Sequence, residues 1–351
     1  MKTFKKLLSI APLLLCAYAG SSQALVINFI PAPNMDPTAL AGFQSAANRW
    51  TNVLHDNVQV NLNIGFNPLP AGVLGSTGAV REVTSYSATR NAMAADAWGR
   101  TDNTAVANLS TSNCLDILMN GTGVNPAGVG NAATFVDANC NANNATIRMT
   151  RANMRALGLV AAKDNVLDGT INFSSNFAWD FNPDDGISSN LYDFIGVATH
   201  EIGHALGFIS GVDILDGNRS RNFSDAAFTW VAPADLFRCS DDSVAAGADI
   251  DWSADNRDKY FSLDNCAERI AMFSNGRTFG DGQQASHWKD SLGLGILDPT
   301  AGRGELLSIS QLDLQLFDAI GWNVVPEPGT IGMTLLGLAG LASARRRRRA
   351  A

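Results

Sequence analysis

The segment HEIGHALGF, residues 200–208, constrains this 351-residue chain more than any other stretch. Read as a helix, it stacks His200 and His204, four residues apart, on a single face, so that both imidazoles can reach one ion. Glu201 lies beside them, placed to take a proton from a water at that ion rather than to bind the ion itself. The helix reads from near Asn190 to Leu206, with Phe194, Val197 and Ala198 on its buried side. Gly207 supplies the left-handed residue that ends it. Two imidazoles do not complete a zinc site, so a third protein ligand is required, and its identity sets the class.

Both ends of the chain are set apart from this folded part. Residues 1–24 combine Lys2, Lys5 and Lys6 with an apolar run and the small-residue exit Ser22-Gln23-Ala24, which reads as a signal peptide. At the other end Val325-Pro326-Glu327-Pro328 precedes an apolar stretch, residues 330–344, and five arginines at 345–349. Fifteen residues at helical rise reach about 22 Å, short of a hydrocarbon core of roughly 30 Å. Such a transmembrane helix is marginal and depends on the arginines snorkelling, with the arginines cytoplasmic and the body outside. The Pro-Glu-Pro, apolar stretch and arginine cluster of residues 325–351 resemble the PEP-CTERM sorting signal of Gram-negative envelopes. That resemblance implies processing by an exosortase, export to the cell surface or beyond, and transient anchoring by the C-terminal helix.

Without these ends 17 of the 25 basic residues remain, against 32 of the 33 acids, a net charge of −15. An acidic surface argues against nucleic acid and anionic membrane as partners. Four cysteines remain, Cys114, Cys140, Cys239 and Cys266, which in an exported chain form two disulfides. Three pairings are open, and the sequence-local ones, Cys114 with Cys140 and Cys239 with Cys266, are expected. A thiolate metal site lacks any CxxC spacing.

The remaining sequence reads as mixed α and β. Residues 25–30 form a strand, a helix starts at Asp36 and Pro37, and Val58, Val60, Leu62 and Ile64 alternate as in a half-buried strand. His55 falls at the end of that helix, where a cationic imidazole is favoured for structural reasons. Residues 90–98 and 151–162 read as helices, and residues 101–146 as looped β-structure clamped by a disulfide. Residues 170–177, TINFSSNF, form a candidate strand just before the active helix. Asp184-Asp185-Gly186 could hold calcium, although two acids beside a glycine are more often only a turn.

The motif and the segments downstream of it carry a family resemblance. HEIGHALGF resembles the metzincin helix, whose extended pattern HExxHxxGxxH has a third histidine where this chain has Ser210. The one histidine after the helix is His287, in ASHWKD. A distant His-Trp pair, a turn ending in Pro299 and a C-terminal helix resemble leishmanolysin, which separates its third ligand from the motif by a long insertion. The resemblance implies a zinc ion held by His200, His204 and His287. It also places Leu297 at the methionine of the Met-turn, where an isobutyl group of similar volume can keep an apolar floor under the metal. Residues 310–322 resemble the closing helix, with Leu312, Leu316, Phe317 and Ile320 inward. Glu268, in NCAERIAMF, is the alternative third ligand on a thermolysin-like reading, and Asp213 is a further one.

The expected fold class is α+β and metzincin-like. Residues 25–208 are expected to form an N-terminal catalytic subdomain with a mixed sheet and the zinc helix. Residues 209–324 should form a disulfide-containing C-terminal subdomain carrying His287 and the turn. The expected function is that of a monomeric zinc endopeptidase acting on protein or peptide, with residues 170–177 binding extended substrate along a strand edge. A silent surface or matrix protein with structural zinc competes, although a structural site has no use for Glu201. An amidase or esterase of non-peptide substrates uses the same chemistry.

Overall fold

The computed structural model describes residues 25–121 and 133–324, and within them the architecture is α+β. The signal peptide, and the C-terminal tail with an apolar helix, both expected from the sequence, lie outside the described residues. Among the described residues no helix is long and apolar enough to cross a membrane.

Strand β1 (Val26–Pro31) leads into helix α1 (Pro37–Thr51). Asp36 starts that helix by accepting the N–H groups of Thr38 and Ala39, and Pro37 sits where no donor is needed. Strands β2 (Gln59–Asn67), β3 (Gly75–Ala79) and β4 (Arg81–Ser85) precede helices α2 (Tyr86–Asp96) and α3 (Arg100–Asn108). Next in the chain are several short pieces: β5 (Ile117–Asn120), β6 (Thr134–Asp137), α4 (Ala142–Ala145), β7 (Thr146–Thr150) and α5 (Arg151–Ala156). Then come β8 (Gly169–Ser174), β9 (Trp179–Asp180), β10 (Tyr192–Asp193) and the motif helix α6 (Phe194–Leu206). The C-terminal part holds α7 (Val212–Asn218), β11 (Arg238–Cys239), α8 (Asp241–Ala246), β12 (Ile250–Asp251), β13 (Lys259–Phe261), β14 (Ala271–Phe273) and the closing helix α9 (Gln311–Ala319).

The principal sheet runs β1-β2-β8-β3. The first three strands are parallel and β3 returns antiparallel along β8, with Thr77 opposite Ile171. Residues 170–174 are thus an interior strand with both edges paired, so the expected substrate edge is not there. Among the described residues the free edge on that side belongs to β3. Its sequence, GSTGA, has no apolar alternation by which to recognise a strand.

Three other expectations are corrected. Helix α6 begins at Phe194 rather than near Asn190, because Tyr192 and Asp193 pair with β9 and the Asp193 carboxylate accepts the N–H of Gly196 at 2.7 Å. The helix expected at 151–162 stops at Ala156, since Gly158 turns the chain at φ +67°. Helix α3 lies inside the region read as looped β-structure. It buries only Asp102 and Ala105, so it shows no apolar period; Asp102 fixes its start by accepting the N–H groups of Trp98 and Gly99. The two disulfides are Cys114–Cys140 and Cys239–Cys266, with Cα atoms 5.5 and 5.6 Å apart.

Helix α6 is held from one side by α1. Trp50 donates its indole N–H to the carbonyl of Thr199 at 2.8 Å, and the ring of Phe194 sits among Phe43, Phe66, Phe173, Trp179 and Phe181. Gly42 makes this approach possible, because a Cβ there would stand 2.5 Å from Phe194 Cδ1 and 2.6 Å from Cε1. Alanine at an open helical position gains about 1 kcal/mol over glycine. Overpacking costs about 1–3 kcal/mol, and two ring atoms in a packed aromatic cluster put the cost at the upper end. Gly42→Ala is therefore expected to destabilise the protein by about 1–2 kcal/mol, read as a lower thermal midpoint; an unchanged or higher one would refute this account of the α1–α6 contact.

Candidate metal centre

His200, His204 and His287 converge, and they are the one group of three or more potential metal ligands found together among the described residues. Their Nε2 atoms lie 3.0, 3.1 and 3.3 Å from one another. Each Nδ1 faces a main-chain carbonyl: His200 that of Ile296 at 2.7 Å, His204 that of Phe208 at 2.7 Å, His287 that of Gln284 at 3.2 Å. A carbonyl only accepts, so each Nδ1 carries the proton and each neutral Nε2 presents a bare lone pair. Three lone pairs at about 3 Å repel unless a cation sits between them.

A proton does not serve that purpose. Burial holds His200 down to about 4 and His204 to about 3, the latter lowered further by His200. Burial, and then His204, push His287 well below the usual imidazole range. A metal ion would complement this donor set. Zinc with tetrahedral angles and Zn–N bonds of roughly 2.0–2.1 Å requires nitrogens about 3.3 Å apart, close to the spacing present.

The two histidines of α6 come from helical periodicity, but their ring orientations are fixed from outside the helix. Gly207, at φ +137°, turns the chain so that the carbonyl of Phe208 meets His204. Fully buried Leu297 lies on Gly203, between the two histidines in sequence; its Cδ2 is 3.1 Å from where a Cβ would stand. His287 is supported by its neighbours. The N–H of Ala285 and the hydroxyl of Ser286 both donate to Asp213, and Ser286 Oγ accepts the N–H of Ser210. Asp213 therefore anchors the segment that delivers His287, and it is not itself among the converging side chains. Glu268 is exposed on a loop and stands outside the cluster, with Asp264 accepting its main-chain N–H.

Asp313, on α9, reaches further than any other support. Its buried carboxylate accepts from Trp288 Nε1 at 2.8 Å, from the N–H groups of Ile296 and Leu297 at 2.8 and 3.4 Å, and from the N–H and hydroxyl of Ser310 at 2.7 and 2.8 Å. It thus fixes the residue after His287 and the turn whose carbonyl orients His200.

Glu201 does not join the three imidazoles. Its carboxylate turns towards β3, where Thr77 Oγ1 lies 2.7 Å from Oε2. Burial raises this carboxyl to about 7, against the opposing Thr77 hydrogen bond; a cation at the imidazoles would draw it back down. His200 and Glu201 open on a cavity of about 380 Å³, lined also by Gly75, Tyr192, Val197 and Pro299. His55 is exposed and stands outside this group, and its main-chain N–H donates to the carbonyl of Asn323. Asp184 and Asp185 form a 3₁₀ turn with Pro183, and they gather no third acidic or histidine ligand among the described residues.

The sequence points to the three histidines, Glu201, Gly207 and Leu297 but gives no sign of Thr77 or Gly75. Ser310-x-x-Asp313 is a visible helix-start pattern. Nothing in it signals that the same carboxylate also holds the 296–297 turn.

The PEP-CTERM protein-sorting motif matches residues 324–349, whereas no curated protein and no solved structure matches the chain. The tail is thus a sorting signal, which implies an exported, surface-directed protein recognised at its C-terminus by an exosortase.

Asp313→Asn is expected to cost about 1–3 kcal/mol, because the amide must turn its donors towards some of the backbone N–H groups that the carboxylate accepts. Urea unfolding reads this as a lowered midpoint. A midpoint equal to wild type would show that the carboxylate does not hold the turn.

Proposed function

We propose that this chain is an exported zinc-dependent endopeptidase whose site resembles that of the metzincins, and of leishmanolysin in its distant third histidine. The observation that carries the reading is the set of three converging Nε2 lone pairs beside a carboxylate that stays off them, at the wall of an open cavity. A purely structural zinc site is closed by four protein ligands and has no use for such a base. We further propose that the apolar segment of residues 330–344 holds the protein transiently in the membrane during sorting.

His200, His204 and His287 would hold the zinc as three neutral ligands, leaving it doubly charged with an open position. When bound, zinc lowers the pKa of a water towards about 7 and polarises a substrate carbonyl. Glu201 takes a proton from the attacking water and delivers it to the nitrogen of the leaving amine. Each imidazole keeps its orientation through its Nδ1–H bond to a main-chain carbonyl, so the donors need no rearrangement during the reaction. The free edge of β3 offers main-chain N–H and C=O groups to an extended peptide, a mode that needs few specific side chains.

The test is zinc content together with casein cleavage, for wild type, Glu201→Ala and His287→Ala. Wild type is expected to carry one zinc and to cleave, and chelation should abolish cleavage until zinc is restored. Glu201→Ala should keep its zinc and lose activity by about 10²–10⁴-fold, and His287→Ala should lose zinc. Zinc binding and cleavage by His287→Ala would overturn the ligand set. Zinc in a wild-type protein that cleaves nothing would favour the silent matrix protein.

A further inference from the structure

Strand β3 turns Gly75, Thr77 and Ala79 to one side, alternating with exposed Ser76 and Gly78. The inward three are small, and two of them, Gly75 and Thr77, lie against α6 at Glu201. Thr77 Oγ1 is 2.7 Å from Glu201 Oε2 and 2.9 Å from the main-chain oxygen of the same residue. At Gly75 a Cβ would stand 2.9 Å from Glu201 Oε1 and 3.0 Å from Phe173 Cε2. One carboxylate oxygen is therefore held by a hydroxyl and the other rests on bare backbone.

A hydroxyl has one hydrogen to give and lone pairs with which to accept, and here it faces two acceptors. While Glu201 is ionised, the hydrogen goes to Oε2, since a charged acceptor makes the stronger bond. If Oε2 takes a proton, Thr77 can turn its own hydrogen to the main-chain oxygen and accept from the carboxyl. If Oε1 takes it, the bond from Thr77 to Oε2 persists. In each case the heavy atoms stay where they are.

Resting on the reading of Glu201 as the base, we infer that Thr77 is a positioning residue that holds Glu201 in one place through both halves of the proton transfer. The proton leaves the water O–H bond, resides on the Glu201 carboxyl and passes to the leaving nitrogen. Thr77 neither gains nor loses a proton. Gly75 leaves the space into which the carboxylate is held. An aliphatic residue at 77 can fill the same volume but supplies neither bond.

The experiment compares wild type, Thr77→Val and Thr77→Ser for zinc content, thermal midpoint, and kcat and KM on a fluorogenic casein-derived peptide. Thr77→Val is expected to keep its zinc and its KM while kcat falls by about 10- to 100-fold. Thr77→Ser should return most of that kcat, and a crystal structure of Thr77→Val should show the Glu201 carboxylate turned away from β3. Wild-type kcat in Thr77→Val, or equal impairment of the serine and valine variants, would overturn the inference, because packing rather than the hydroxyl would then matter. If Thr77→Val does not fold, Thr77→Cys, of similar shape but a weak donor, replaces it with the same expected fall in kcat. A wild type that binds zinc and cleaves nothing overturns the endopeptidase reading and the role of Thr77 with it. A cleaving wild type with an unimpaired valine variant overturns Thr77 alone.

Discussion

The histidine triad depends on a carboxylate that does not touch it. Asp313 draws in Trp288, the 296–297 turn and the start of its own helix. From there its influence divides. Through the carbonyl of Ile296 it orients His200, and through Trp288 it fixes the segment that carries His287. A buried carboxylate left unpaired costs several kcal/mol, so all these donors must arrive together for α9 to close. Gly295 records how tightly they do so, since a Cβ there would stand 2.2 Å from Asp313 Oδ2.

A second support lies at Ser210, where the extended metzincin pattern has its third histidine. Its N–H bonds Ser286 and its hydroxyl bonds Asp235 at 2.5 Å, so the position ties down the loop that brings a histidine from elsewhere. Trp288 completes the attachment by stacking on Phe273 and meeting Phe208 edge-on. Residue 287 is thereby fixed by packing on one side and by hydrogen bonds on the other.

The features legible in the sequence are those with a local signature. The i, i+4 histidines, the glycine that ends α6 and the short-range cysteine pairs all depend on spacing along the chain. His287 stands out by number alone, because the chain has four histidines and only one lies after the helix. The edge strand is not legible, because GSTGA owes its conformation to pairing with β8 and its small side chains to the nearness of Glu201. Helix α3 escapes notice because it has almost no apolar face. Asp313 reads as an ordinary helix-start residue, and its other partners lie 16 to 25 residues away in the chain.

The third histidine comes 83 residues after the second. Closing so long a segment costs chain entropy before any contact at its end is made, so such pairings form late in folding. A chain in which only α6 has formed carries the helical pair without the triad. The three nitrogens meet only once the turn at 296–297 has docked under α9, so the triad belongs to the folded chain and not to the motif helix alone.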